Sequence, residues 1–146
     1  MRHLPTAARY LLGLVFFVFG LNFFLHFLPN PTMPPAAGAF AGAMGATGYL
    51  FLLVKITEVA SGALLLANRF VPLALALLAP VIVNIFFFHA FLEGPATLPL
   101  PVILLALEIY LAYSYRDAYR PMLAAKVAPA TAGEVASSKS AASATA

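Results

Sequence analysis

The sequence predicts an all-α protein, a four-helix transmembrane bundle with antiparallel neighbours, and three observations carry that prediction. Of 146 residues 63% are hydrophobic and 9% charged, with a mean hydropathy of +0.96, whereas about a quarter of an ordinary soluble domain is charged. Four apolar runs, about 10–28, 48–67, 71–92 and 98–115, approach the length of roughly 20 residues that a helix needs to cross about 30 Å of hydrocarbon. Lys and Arg gather at only one set of run ends. In lipid each run must be helical, because no other single segment satisfies its own backbone.

The first run, Tyr10 to Leu28, is closed by Pro29, Pro31, Pro34 and Pro35. It exceeds the 7 to 15 apolar residues of an export signal, so it is expected to remain as a helix. An uncharged outer loop follows over 29–47, and its stretch "AAGAFAGAMGATG" has Phe40 and Met44 on one side of a short interfacial helix. The second run ends at Asn68 and Arg69, and the third at Gly94 and Pro95. Pro72, Pro99 and Pro101 fall in first turns, where a missing N–H costs little, whereas Pro80 lies inside the third run and should kink it. The bundle is thus expected over 1–123. Residues 124–146, rich in Ala, Ser and Thr, are expected to be a disordered cytoplasmic tail.

Cytoplasmic loops carry the excess of Lys and Arg. Arg2 and Arg9 precede the first run, Arg69 lies between the second and third, and Arg116, Arg120, Lys126 and Lys139 follow the fourth. The opposite face has Glu93 and no cation, which places both termini in the cytoplasm. The net charge of +3 therefore reads as topology, and no nucleic-acid partner is expected. With no cysteine, thiol exchange and thiolate metal ligation by this chain are excluded.

Ionisable groups at mid-bilayer cost about 2.5 to 3.5 kcal/mol each to insert and usually face the protein interior. At about 100° per residue Gly48, Phe51, Lys55, Glu58 and Gly62 share one stripe of the second helix, and Pro101, Leu104, Glu108, Ala112 and Tyr115 share one of the fourth. Both glutamates fall near the midplane, with Lys55 one turn nearer the outer surface. Asn22 and His26 of the first helix, and Asn84 and His89 of the third, lie in the outer half. These polar groups outline a pocket open to the outside. Asn84 and His89, five residues apart, point in different directions and line one pocket only if their helix end unwinds. Gly13 and Gly20 mark a close-packing face roughly opposite Asn22 and His26.

An internal echo links the halves. "NFFLHFLP" at Asn22 to Pro29 resembles "NIFFFHAFLEGP" at Asn84 to Pro95, and each precedes a helix with a mid-span glutamate and an arginine at its inner end. A parallel repeat of two helical hairpins would produce that pattern.

The stretch "RYLLGLVFFVFGLNFFLHFLP", the pattern of Glu58, Gly62, Leu65 or Leu66, Arg69 and Pro72, the run "PVIVNIFFFH" and the closing "YRDAYRP" together resemble the DoxX family of small four-helix membrane proteins, over about Ala7 to Leu123. Where many members carry a lysine after the first-helix glycine motif, this chain continues Gly20, Leu21, Asn22, Phe23, leaving Lys55 as the cation within the spans. The resemblance implies a multi-pass protein of a bacterial cytoplasmic (inner) membrane. It also implies an accessory role in a quinone-linked or oxidative-stress redox system, with a membrane or periplasmic redox protein as partner and quinone as the cofactor class.

Lys55 and Glu58 have two readings. One is a self-neutralising pair that joins helices, with Lys55 reaching outward. The other is a ligand-binding or proton-relay cluster with Glu108, Asn22, His26, Asn84 and His89, in which two acids face one base unless a histidine supplies a second cation. Haem held by His26 and His89 is the less expected use of those rings, and no metal-ligand spacing is present. No nucleophile elbow, phosphate-cradling loop or dinucleotide fingerprint appears, so little points to an enzyme acting alone. The expectation is an accessory redox subunit. A small-solute or proton permease using Lys55, Glu58 and Glu108 is the first alternative and a structural assembly factor the second; no motif speaks to oligomeric state.

Overall fold

A computed structural model describes residues 3–29 and 32–126. Among them every regular element is helical and none is a strand. The tail expected over 124–146 lies, from residue 127 on, outside the described residues, as do Arg2 and Lys139.

Helix α1, Leu4–Leu25, begins earlier than its apolar run because Pro5 suits a first turn, and it ends earlier because Asn22 closes it. The Asn22 carbonyl accepts the His26 N–H at 2.8 Å and its Oδ1 accepts the Leu28 N–H at 2.6 Å. His26 takes the left-handed conformation that commonly ends helices, at φ 52°. Helix α2, Pro35–Ala46, fills most of the expected outer loop. It turns by 93° into α3, Leu50–Leu66. Thr47 joins the corner, its hydroxyl donating to Met44 O at 2.7 Å and accepting the Leu50 N–H at 3.0 Å, while Gly48 takes φ 75°.

A tight turn through Asn68 and Phe70 leads to α4, Val71–Phe88. Pro80 faces outward, and α4 continues past it into a wider π-type turn over His89–Glu93. A 3₁₀ turn, Pro95–Thr97, precedes α5, Pro99–Ser114. The short α6, Arg116–Tyr119, and a last 3₁₀ turn, Arg120–Leu123, fold back so that the Tyr119 hydroxyl donates to Pro72 O at 2.8 Å. The two echoed segments therefore differ in structure. Both asparagines lie inside their helices, but His26 caps α1 in the left-handed conformation whereas His89 opens the π turn.

Helix α1 packs on α3 and α5, and α4 packs on the same two, around a core of Leu12, Phe16, Leu65, Leu75, Leu78, Ile82, Leu104 and Leu111. Two helices, Leu4–Leu25 and the continuous Val71–Glu93, are long and apolar enough to cross a membrane. A third counts if the bent pair α2 and α3 is one span, and α5 is a shorter apolar helix. This is the composition of a membrane protein.

Candidate functional site

The closest packing in the molecule positions the charged pair. Gly13 and Gly20, seven residues apart on α1, meet α3 at Gly62 and Val59, so the two backbones approach as only small residues allow. A Cβ on Gly20 would stand 2.7 Å from Val59 Cγ2 and 3.2 Å from the Glu58 Cβ. Glu58 is thereby held against α1 with 3% of its surface exposed. Its Oε2 accepts from Lys55 Nζ at 2.7 Å, one turn nearer the N-terminal end of α3. The Lys55 side chain keeps 19% exposure and lies 5.8 Å from the Phe51 ring centre. Burying both charges is offset by the short contact and by the ammonium's reach into an open hollow.

That space is a hollow of about 500 Å³ where α1 ends and α3 begins, roofed by Ala41 and Gly45 of α2. Asn22, His26 and Lys55 supply its polar groups, and Phe19, Phe23 and Phe51 its aromatic walls. Phe23 and Phe51 stack at 5.3 Å with their planes 20° apart. Since Asn22 Oδ1 is committed to Leu28, its amide N–H groups remain for a ligand, and Lys55 has N–H groups beyond the one given to Glu58.

Besides Glu58, which meets this hollow only through its bond to Lys55, three of the expected pocket residues line no part of it. Asn84 is exposed on the outer surface of α4 and lines no part of this hollow. His89 is half-buried, its Nδ1–H donating to Ile85 O at 2.7 Å and its Nε2 standing 3.4 Å from Glu93 Oε2. It is not among the residues that line the hollow of His26. Unwinding at the end of α4 does occur, as the π turn, but it ties His89 to its own segment.

Glu108, 5% exposed, is the third. It lines a second hollow of about 430 Å³ between α4 and α5, with Leu75, Ala76, Ala79, Ala112, Arg116 and Tyr119. The two hollows have no residue in common. Of the expected cluster, Lys55 and Glu58 form an ion pair, while Glu108 lines a different hollow from Lys55, beside α4 and toward the end that carries α6.

Arg9 was expected to flank the first span, yet it is 4% exposed inside α1. Its guanidinium donates to Leu65 O, which also accepts the Asn68 N–H at 3.2 Å, and at 3.5 Å to Leu66 O, adding a charged donor at the carbonyl end of α3. The sequence held a signal for this, since Arg9 shares the 100° stripe of Gly13, Phe16 and Gly20. Among the described residues no three of His, Asp and Glu are grouped to hold a metal ion. In comparisons with known proteins, no family model, no curated protein and no solved structure matches the chain.

Proposed function

We propose that this chain is a four-span bundle of the DoxX type in a bacterial inner membrane, an accessory subunit of a quinone-linked or oxidative-stress redox system. The observation that carries the reading is the outer hollow. A quinone is a flat ring with two carbonyl acceptors. Phe19, Phe23 and Phe51 offer ring faces and edges for it to stack on, while Asn22, His26 and Lys55 offer donors for its oxygens. The same surface would serve a redox partner that docks at the outer face. The spans are α1, α3, α4 with its π turn, and α5. At 17 and 16 residues α3 and α5 are about 24–26 Å long, a mismatch of a few Å that local thinning of a bilayer absorbs. Arg69, Arg116, Arg120 and Lys126 at one end support a cytoplasmic placement of both termini.

The test is native purification in mild detergent followed by mass spectrometry of extracted lipids and absorbance spectroscopy. Retained quinone, lost in Phe51→Ala and Lys55→Ala proteins that still fold, is the expected result. Wild-type protein that retains none and binds no added short-chain benzoquinone refutes the quinone reading. The permease alternative has less support, because no shared residue links the two hollows and the leucine-rich core packs between the helices.

A further inference from the structure

Glu108 has no role in the outer hollow, and its surroundings are unusual for a carboxyl. Its Oε2 is fully buried and no protein group lies within hydrogen-bonding distance. Among the described residues it forms no ion pair. Arg116, the cation that lines the same hollow, turns its guanidinium to Tyr113, whose carbonyl it meets at 3.2 Å and whose ring it covers at 4.7 Å. Tyr119 spends its hydroxyl on Pro72 O. A buried acceptor without a donor is costly, and such groups in native proteins call for a specific explanation.

We propose that the hollow between α4 and α5 binds a lipophilic amine, with its ammonium on the Glu108 carboxyl and its hydrocarbon body along Ala76, Ala79 and Ala112. Its size, about 430 Å³, is within the range of small-molecule pockets. The alanines leave a smooth apolar floor, and the exposed Met122 and Leu123 extend its wall. An alcohol brings a donor without a countercharge. An ammonium brings both, and charge-assisted hydrogen bonds are the stronger kind. The two carboxyl oxygens exchange by rotation about a broad terminal torsion, so either meets the incoming N–H. This site shares no residue with the outer hollow and stands whether or not that hollow takes a quinone.

The test uses the full chain in lipid nanodiscs, titrated with radiolabelled 4-phenylbutylamine and corrected for uptake by protein-free discs. Saturable binding is expected, weakened at least about tenfold by Glu108→Gln, the scale of one hydrogen bond to a charged group. Glu93→Gln, remote from the hollow, should leave it unchanged. Ala112→Leu keeps the carboxyl but fills the floor, and should also abolish binding, so a poorly folding Glu108→Gln protein does not decide the matter alone. Binding that survives in folded Glu108→Gln and Ala112→Leu proteins overturns the proposal, as does the lack of a saturable component in wild type. Equal competition by 4-phenylbutanol also overturns it, because the site would then not be reading charge.

Discussion

Gly62 of α3 sits so close to Phe17 of α1 that a Cβ placed on it would come within 2.6 Å of the Phe17 nitrogen and 2.9 Å of the Gly13 carbonyl oxygen. Both neighbours are backbone and neither can rotate aside. Gly62→Ala should therefore push the two helices apart and cost about 1–3 kcal/mol, the usual range for overpacking. Thermal unfolding in detergent would measure it. Gly38→Ala on α2, where nothing lies within 4 Å, should be neutral or slightly stabilising through helix propensity alone. Equal losses at the two glycines would contradict the close crossing.

The Lys55–Glu58 pair predicts a strongly non-additive cycle. Lys55→Met alone leaves a carboxylate that is 3% exposed without its cation, and breaking a buried pair this way costs about 3–5 kcal/mol. Replacing both residues with apolar ones of similar size should recover most of that loss, because neither charge is then stranded. Unfolding midpoints of the two single variants and the double variant supply the coupling. Additive losses would mean that the two side chains do not depend on each other.

Much of this site was legible from helical periodicity, and the exceptions have physical causes. Glu58, Gly62, Leu104 and Glu108 fall on stripes that the fold does bury, since a 100° period reports which side chains share a face. Periodicity does not report which neighbour covers that face. Lys55 and Glu108 lie on inward stripes of their helices and still line different hollows. Asn84 lies in a helix that is apolar all round, so one polar residue did not fix its rotation. The end of α1 was hidden for another reason. The residues after Leu25 are as apolar as those before it, and only the local bonding of Asn22 stops the helix.

Arg9 should behave as a structural hydrogen-bond donor. Arg9→Ala would take the charged donor from the Leu65 carbonyl, leaving it only the Asn68 N–H at 3.2 Å, and cost about 1.5–3 kcal/mol as lost hydrogen bonds to a charged group. Arg9→Lys, which offers a point charge in place of a planar fork, should recover part of that. Unfolding midpoints would rank the three proteins, with amide hydrogen exchange near Leu65 and Leu66 as the local probe. Wild-type stability and exchange in Arg9→Ala would reduce the residue to a flanking charge.

Tyr119 ties the segment after α5 to the start of α4 and predicts an alkaline signature. Its hydroxyl donates to Pro72 O at 2.8 Å, so Tyr119→Phe should cost about 1 kcal/mol at neutral pH. Partial burial, and secondarily the negative charge of Glu108, hold its phenol above the ordinary tyrosine range. The folded protein then keeps this proton at a pH where the unfolded chain has begun to release it. The stability that Tyr119 contributes is complete below the ordinary phenol pKa of about 10 and declines as pH rises toward its folded value. Wild type should exceed Tyr119→Phe by a constant margin between about pH 7 and 9, and that margin should shrink above about pH 10. Denaturation of both proteins across that range measures the difference, in which other tyrosines and lysines cancel. A margin that grows with alkalinity would reverse the sign of the coupling and place the phenol in a site that favours its anion.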